Sequence, residues 1–322
     1  MTQLNRRTLL TGAGALTATA LAPASMMTQA RAAAPAAGKQ AASFYRYKIG
    51  TFEVTSVSDG VTPFALPDNL VRNAKKEEVN AALEAAFLPK DQLANQYTPV
   101  VVNTGTKLVV LDTGRGPSGQ YHANLAAAGI DPKAVDTVII SHFHGDHIGG
   151  LRGADQAVMF PNAEIMVPAA EWAHWMDDAK MNAAPEAARG GFQNVRRIFG
   201  PIADKLTKYE SNKELVPGIT SIATPGHTPG HTSFAVNSGN GRLIVQADVS
   251  IMPYLFVRNP GWHVVFDTDP QLAEASRRKL YDMVAADRTL ITGYHWPFPA
   301  TGYIEKDGNG YRLHPMLWSP TL

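Results

Sequence analysis

Residues 45–57 alternate apolar and polar side chains on both sides of Gly50, the period-two pattern of two strands joined by a tight turn. Residues 74–87 carry charge at the start and Val79, Leu83 and Phe87 at four-residue spacing, which predicts an amphipathic helix. Two β-rich runs, 98–102 and 107–112, flank Asn103-Thr104-Gly105 and predict a second hairpin. Residues 136–140 read as a short buried strand that stops at Ser141. Helical patterns follow at 169–178 and 192–206, then strands at 219–223, 232–236 and 242–246. A helix over 270–286, a strand at 289–292 and a terminal hairpin around Tyr303 and Tyr311 complete the series. Both halves thus run from strands to helices and back to strands. That rhythm predicts two sheets packed face to face with helices outside, although the strand count alone also fits an α+β domain with one sheet.

Composition narrows the chemistry more than the fold. The chain has 322 residues, 45% apolar and 18% charged, enough for one large domain or two small ones, and no internal linker or repeat divides it. Twenty-nine Lys and Arg against 28 Asp and Glu leave a net +1, which lacks the positive field that non-specific binding to nucleic acid or anionic membranes requires. There is no Cys, so disulfides, thiolate zinc sites, Fe–S clusters and Cys nucleophiles are excluded. Any metal must be held by His and carboxylates.

The first acidic residue is Glu53. Ahead of it lie Asn5-Arg6-Arg7-Thr8-Leu9-Leu10, a weakly apolar stretch and Ala30-Arg31-Ala32, the order of a basic region, a short apolar region and a cleavage site. Residues 1–32 therefore read as a signal peptide that resembles the twin-arginine class, with 33–43 as a loose leader and 44–322 as the domain. The expected setting is periplasmic or secreted, with the twin-arginine export machinery as a partner. The apolar run 9–21 falls short of the roughly 20 residues needed to span a bilayer, so no stable membrane insertion is expected after cleavage. Residues 1–32 hold three of the 29 basic residues and no acid, which leaves 26 basic against 28 acidic in the mature chain.

The chemistry concentrates in Ser141-His142-Phe143-His144-Gly145-Asp146-His147-Ile148-Gly149-Gly150, directly after a predicted strand. Three His and one Asp within six residues bring imidazoles and a carboxylate together, a donor set suited to zinc, and also to manganese, cobalt or iron. Only ten His occur in the whole chain, so composition gives such a string little reason to arise. Thr224-Pro225-Gly226-His227-Thr228-Pro229-Gly230-His231-Thr232, Ala247-Asp248 and Gly293-Tyr294-His295 each follow a further predicted strand. Strand termini let distant segments converge on one sheet edge.

This constellation resembles that of the metallo-β-lactamase superfamily over nearly the whole mature chain. The resemblance implies an α+β fold, a four-layer αβ/βα sandwich, with two divalent metal ions, zinc first, at the sheet edges. One ion would take His142, His144 and His227, the other Asp146, His147 and His295, and Asp248 would bridge them. It further implies that a metal-bound hydroxide is the nucleophile and that Asp146 and Asp248 orient it. His231, four residues after His227, would stand behind the ligands. Asp112, which ends the strand in Leu111-Asp112-Thr113-Gly114, would tie down the histidine-rich loop. His122, His174, His263 and His314 lack a ligand context. His144 stands where redox members carry Glu, which favours hydrolysis.

Within the superfamily, matching stretches resemble the branch of methyl parathion hydrolase and its esterase-like and lactonase-like relatives. They are Val102-Asn103-Thr104-Gly105 with 108–114, Phe160-Pro161-Asn162-Ala163, Leu215-Val216-Pro217-Gly218-Ile219, 226–232 and His295-Trp296-Pro297-Phe298-Pro299. That branch lines its leaving-group pocket with aromatics, and Trp175 and Phe192 match two such positions. Residues 114–121 depart from it, being shorter and lacking its Phe. The position three residues after Asp248, where quorum-quenching lactonases place a Tyr, is Ile251, and the nearest tyrosine is Tyr254. The expected activity is hydrolysis of small apolar esters: aryl esters, lactones and, at the edge, organophosphate triesters, with a homodimer as the candidate assembly. A lactonase of the quorum-quenching type is the alternative. Rival readings are a mononuclear-iron redox member and a non-catalytic binding protein of the same fold.

Overall fold

The computed structural model describes residues 36–322 apart from 39 and 42. The expected signal peptide, 1–32, and the start of the leader lie outside the described residues. From residue 44 the chain forms sixteen strands. The first sheet contains β1 (Phe44–Ile49), β2 (Phe52–Val57), β5 (Val100–Asn103), β6 (Leu108–Leu111), β7 (Thr137–Ile139), β8 (Glu164–Pro168) and β9 (Leu206–Tyr209), in that spatial order. The second is β10 (Glu214–Val216), β11 (Ile219–Ala223), β12 (Thr232–Ser238), β13 (Gly241–Val245), β14 (Leu290–Thr292), β15 (Thr301–Asp307) and β16 (Gly310–Pro315). A separate two-stranded ribbon pairs β3 (Val61–Ala65) with β4 (Gln92–Gln96).

The layers follow from alternation along the strands. Val100 and Val102 point into a cluster that also holds Val109, Leu111, Ile139, Ile219, Phe234, Val236, Leu243 and Val245, so the inner faces of both sheets share one core. Val101, Val110 and Val138 point the other way, onto a cluster with Leu125, Trp175, Phe192, Val195 and Phe199. Those partners come from α2 (Tyr121–Ala127), α4 (Ala169–Trp175) and α6 (Glu186–Phe199), while α5 (Asp178–Ala183) joins the last two. On the far side, Ile244, Ile291 and Ile304 bury against Leu280, Tyr281 and Val284 of α8 (Pro270–Asp287). The result is the expected αβ/βα sandwich. A fourth cluster seats α1 (Lys76–Ala85) and α7 (Pro253–Phe256) against Leu93 of the ribbon.

Most departures from the sequence reading have local causes. The helix expected at 192–206 runs instead over Glu186–Phe199, because Pro201 lacks the amide that a continuing helix needs and the chain tightens into a 3-10 turn at Gly200–Lys205. The helix expected to reach residue 178 stops at Trp175, and Asp177 caps α5 by accepting the Ala179 and Lys180 amides. The ribbon strands β3 and β4 escaped the reading because they are short, and Pro63 weakens the strand signal of the first. No helix among the described residues is long and apolar enough to cross a membrane.

Candidate metal centre

Parallel pairing decides where the site stands. β6 pairs parallel to β7, and β13 parallel to β14, so the loops after these four strands leave from the C-terminal ends of parallel strands in both sheets. Asp112 follows β6, His142 to His147 follow β7, Asp248 follows β13 and His295 follows β14; His227 follows β11. The backbone is forced at two of these exits, with Asp112 at φ +63° and Ala247 at φ +51°. Gly226, at φ +125°, leaves no room for a Cβ, which would stand 2.1 Å from the Ala273 amide nitrogen. That close approach sets α8 against the turn that carries His227.

The donors converge in two groups. In His142, His144, His227 and Asp248, one donor atom from each lies within 4.8 Å of the others, and the same holds for Asp146, His147 and His295. His227 Nε2 and His144 Nδ1 are 2.9 Å apart. Asp248 stands between the groups: Oδ2 is 3.3 Å from His227 Nε2 and 3.1 Å from His295 Nε2, while Oδ1 is 3.3 Å from His147 Nε2. His142 Nε2, His147 Nε2 and Asp248 Oδ1 are buried with no hydrogen-bond partner. Orphaned polar atoms of this kind are costly unless something else binds them, and two divalent cations fit this donor set.

The supporting shell fixes which nitrogen of each ring faces inward. His147 Nδ1 donates to Asp112 Oδ2 at 2.8 Å, and that carboxylate also accepts the Ser141 amide and hydroxyl, both at 2.7 Å. His142 Nδ1 is 3.0 Å from the Ser141 hydroxyl. His227 Nδ1 donates to Asp267 Oδ1 at 2.9 Å, and His295 Nδ1 to the Gln96 carbonyl at 2.6 Å. With Nδ1 occupied, Nε2 of these four rings is free for a cation.

Charge separates the imidazoles into two kinds. Burial, aided by neighbouring His227, pushes His144 down to about 3, so it is a neutral donor at physiological pH. Burial acts the same way on His227 and His295, but Asp248 with Asp267, and Asp248 with Asp146, outweigh it and hold them up at about 9 and about 10. Positive charge is thus favoured beside these carboxylates, and a divalent ion supplies it without a proton.

The structure brings all seven proposed ligands together. His231 stands behind them, with Nδ1 bonded to Thr224 and Nε2 accepting the Asp248 amide, so neither nitrogen is left for a metal. His122, His263 and His314 lie elsewhere, against the Gly150 carbonyl, Glu274 and Glu305 respectively. His174 packs beside Trp175 and Phe192.

The cavity over the donors, about 400 Å³, is lined by Asn95, Tyr97, His144, Gly145, Asp146, His227, Asp248, Ile251, Phe266 and His295. Trp175 and Phe192 are not among them. Both are buried in the core between β8 and α6, where the Trp175 indole donates to Glu171 and its ring edge faces His144 at 6.3 Å. Their apolar size serves packing beneath the ligand rather than the cavity wall. Tyr254 lines a different cavity, with Arg258 and Tyr311, and the tyrosine that lines the cavity over the donors is Tyr97.

Four residues that support the donors escaped the sequence reading. Asp267 resembles the helix-capping Asp269 two residues later, and nothing in the chain distinguishes their roles. Glu171 looks like an ordinary first-turn helix acid. It is fully buried, and it accepts the Phe143 amide at 3.0 Å, the Gly230 amide at 2.6 Å and the Trp175 indole at 2.8 Å. Tyr294 lays its ring 3.9 Å from that of His147 and donates its hydroxyl to the Asp146 carbonyl. Gln96 holds His295 through its carbonyl and accepts the Phe298 amide through its side chain.

Comparison with known proteins agrees with this geometry. The family model of the metallo-beta-lactamase superfamily matches residues 94–295, which include every donor named above. An N-acyl homoserine lactonase of Bacillus sp is 29% identical over 168 residues, 52% of this chain and 58% of that protein. The N-acyl homoserine lactonase AttM of Agrobacterium fabrum is 32% identical over 142 residues, 42% of this chain and 47% of that one. The chain thus spans about half the length of these curated relatives. Among solved structures, AidC, a dizinc quorum-quenching lactonase in complex with a product, superposes with TM-score 0.81 at 27% identity, over 86% of this chain and 98% of that one. The hydrolase AbOPH of the beta lactamase superfamily gives 0.82 at 26%, over 87% and 100%. By its matched sequence, its fold and its donor set, the chain belongs to the metallo-beta-lactamase superfamily.

Proposed function

We propose that the protein is a binuclear zinc hydrolase of small apolar esters, with lactones first and aryl esters next. The observation that carries this reading is Asp248, whose two oxygens face both donor groups at the floor of a cavity walled by Tyr97, Ile251 and Phe266. Two divalent ions held by these groups would supply hydroxide at neutral pH and polarise the ester carbonyl. The chain's own residues do the rest. Burial raises the carboxyls of Asp248 and the partly exposed Asp146, but the surrounding imidazoles outweigh it and hold both ionised, so they can accept hydrogen bonds from the attacking water and orient it. Ile251 and the half-exposed Phe266 offer apolar surface for an acyl or aryl substituent. The lactonases and the dizinc lactonase among its relatives support the lactone preference.

Residues 1–32 support export by the twin-arginine route to the periplasm or beyond, which fractionation of cells carrying Arg6→Lys with Arg7→Lys tests. For the activity, one metal-replete preparation is assayed against homoserine lactones, aryl lactones, p-nitrophenyl esters and methyl parathion. Turnover of lactones or aryl esters, with two metals per chain, is expected. Absence of hydrolysis across the panel with both metals bound overturns the reading.

A further inference from the structure

A second cavity, of about 330 Å³, lies beside the metal-ligand turn and shares Gly145 with the cavity over the donors. Three arginines line it: Arg115, Arg152 and Arg197. Arg115 is paired, with Asp59 at 3.3 Å, and further tied to Thr62. Arg152 is different. It is only 8% exposed, its Nε and Nη1 reach the Ile198 and Gln156 carbonyls, and its Nη2 is buried without a partner. Among the described residues no carboxylate forms an ion pair with Arg152 or Arg197. Arg197 donates only to the Gln156 and Asn194 side-chain oxygens. The acid nearest in sequence, Asp155, accepts the Ala157 amide instead.

A guanidinium remains charged at any pH the protein meets, and a buried charge without a counter-charge is unfavourable. The buried Arg152 and the exposed Arg197 line one polar cavity, bridged by Gln156, which accepts Arg152 through its carbonyl and Arg197 through its side chain. The planar fork of donors on each guanidinium matches the oxygens of an oxyanion. We propose that this cavity is an anion site in which Arg152 and Arg197 bind a small oxyanion, phosphate or sulfate in size, as the missing counter-charge. Gly145 and Gly149, at either end of α3 (Gly145–Ile148), line the same cavity, so the bound anion would brace the turn that carries Asp146 and His147. The site is independent of which ester the metal centre hydrolyses.

The test is thermal unfolding of the metal-loaded protein in phosphate, sulfate, acetate and, at matched ionic strength, chloride. Phosphate or sulfate at ten times its Kd should raise the midpoint by about 3 °C beyond chloride. Arg152→Met and Arg197→Gln should each remove most of that gain while hydrolysis stays within about twofold of the parent. Arg197 is exposed, so its variant decides between the outcomes even if Arg152→Met fails to fold. Acetate acting as strongly as phosphate would overturn the assignment to a phosphate- or sulfate-sized oxyanion. An anion effect equal in parent and both variants would place binding at the metal centre or the general surface and overturn the proposal, as would the lack of any effect beyond chloride.

Discussion

Asp267 stands directly behind His227, its Oδ1 2.9 Å from the ring Nδ1, while the opposite nitrogen of that ring faces His144 and Asp248. The carboxylate therefore chooses the tautomer and the aim of a ligand that it lies 40 positions away from in sequence. Asp112 does the same for His147. Each donor group thus has its own buried carboxylate behind an imidazole.

Asp267→Asn keeps the shape but replaces an acceptor-only group with one that can present an amide. Metal affinity of the first group should fall by about 10- to 100-fold. Competition with a chromophoric chelator measures it; unchanged affinity would show that His227 needs no such partner.

Asp248→Ala removes the residue common to both groups. Metal content should drop below one per chain and hydrolysis by on the order of 10³-fold or more, read by elemental analysis and initial rates on one preparation. Two retained metals with full activity would remove Asp248 from the centre.

Glu171→Gln places an amide donor among the Phe143 amide, the Gly230 amide and the Trp175 indole, all of which already donate. At least one pair must then part, at a cost of about 1–3 kcal/mol. Because those amides belong to the two histidine loops, metal affinity should fall with stability; Glu171→Ala tests whether the loss follows the carboxylate itself.

Stripping the metals leaves His142 Nε2, His147 Nε2 and Asp248 Oδ1 buried and unpaired. Chelation should lower the unfolding midpoint by on the order of 10 °C, reversed by zinc. A chelated protein that melts with the loaded one would mean that these atoms find other partners.

Burial raises the Glu274 carboxyl, but the hydrogen bonds from Arg278 and His263 outweigh it and hold it below its ordinary 4.5. A group lowered in the fold contributes stability above its unfolded value and loses it as pH falls through the folded one. Glu274→Gln should therefore melt lower than the parent at pH 7, and the gap should close as the pH falls through the acid range below that ordinary value. A gap independent of pH would assign the effect to packing.

The donor-rich segments were legible because three His and one Asp crowd one loop and each further donor follows a strand; their division into two metal groups came from the family resemblance. His231 could be set apart from His227 only by family resemblance, and the structure supplies the physical reason in its two occupied nitrogens. The supporting residues were not legible. Glu171 and Asp267 wear the same letters as helix-end acids, and only tertiary burial makes them anchors. Trp175 shows the opposite limit, since an aromatic beside a ligand in space reads alike whether it faces substrate or core.

Both sheets contribute to each donor group, and neither group is complete in one sheet. His142 and His144 leave the first sheet and meet His227 and Asp248 from the second; Asp146 and His147 meet His295. The ions would act as rivets across the seam between the two halves. During synthesis the first half carries only part of each donor group. The second group closes only when residue 295 has arrived, so metal capture reports that both halves have docked.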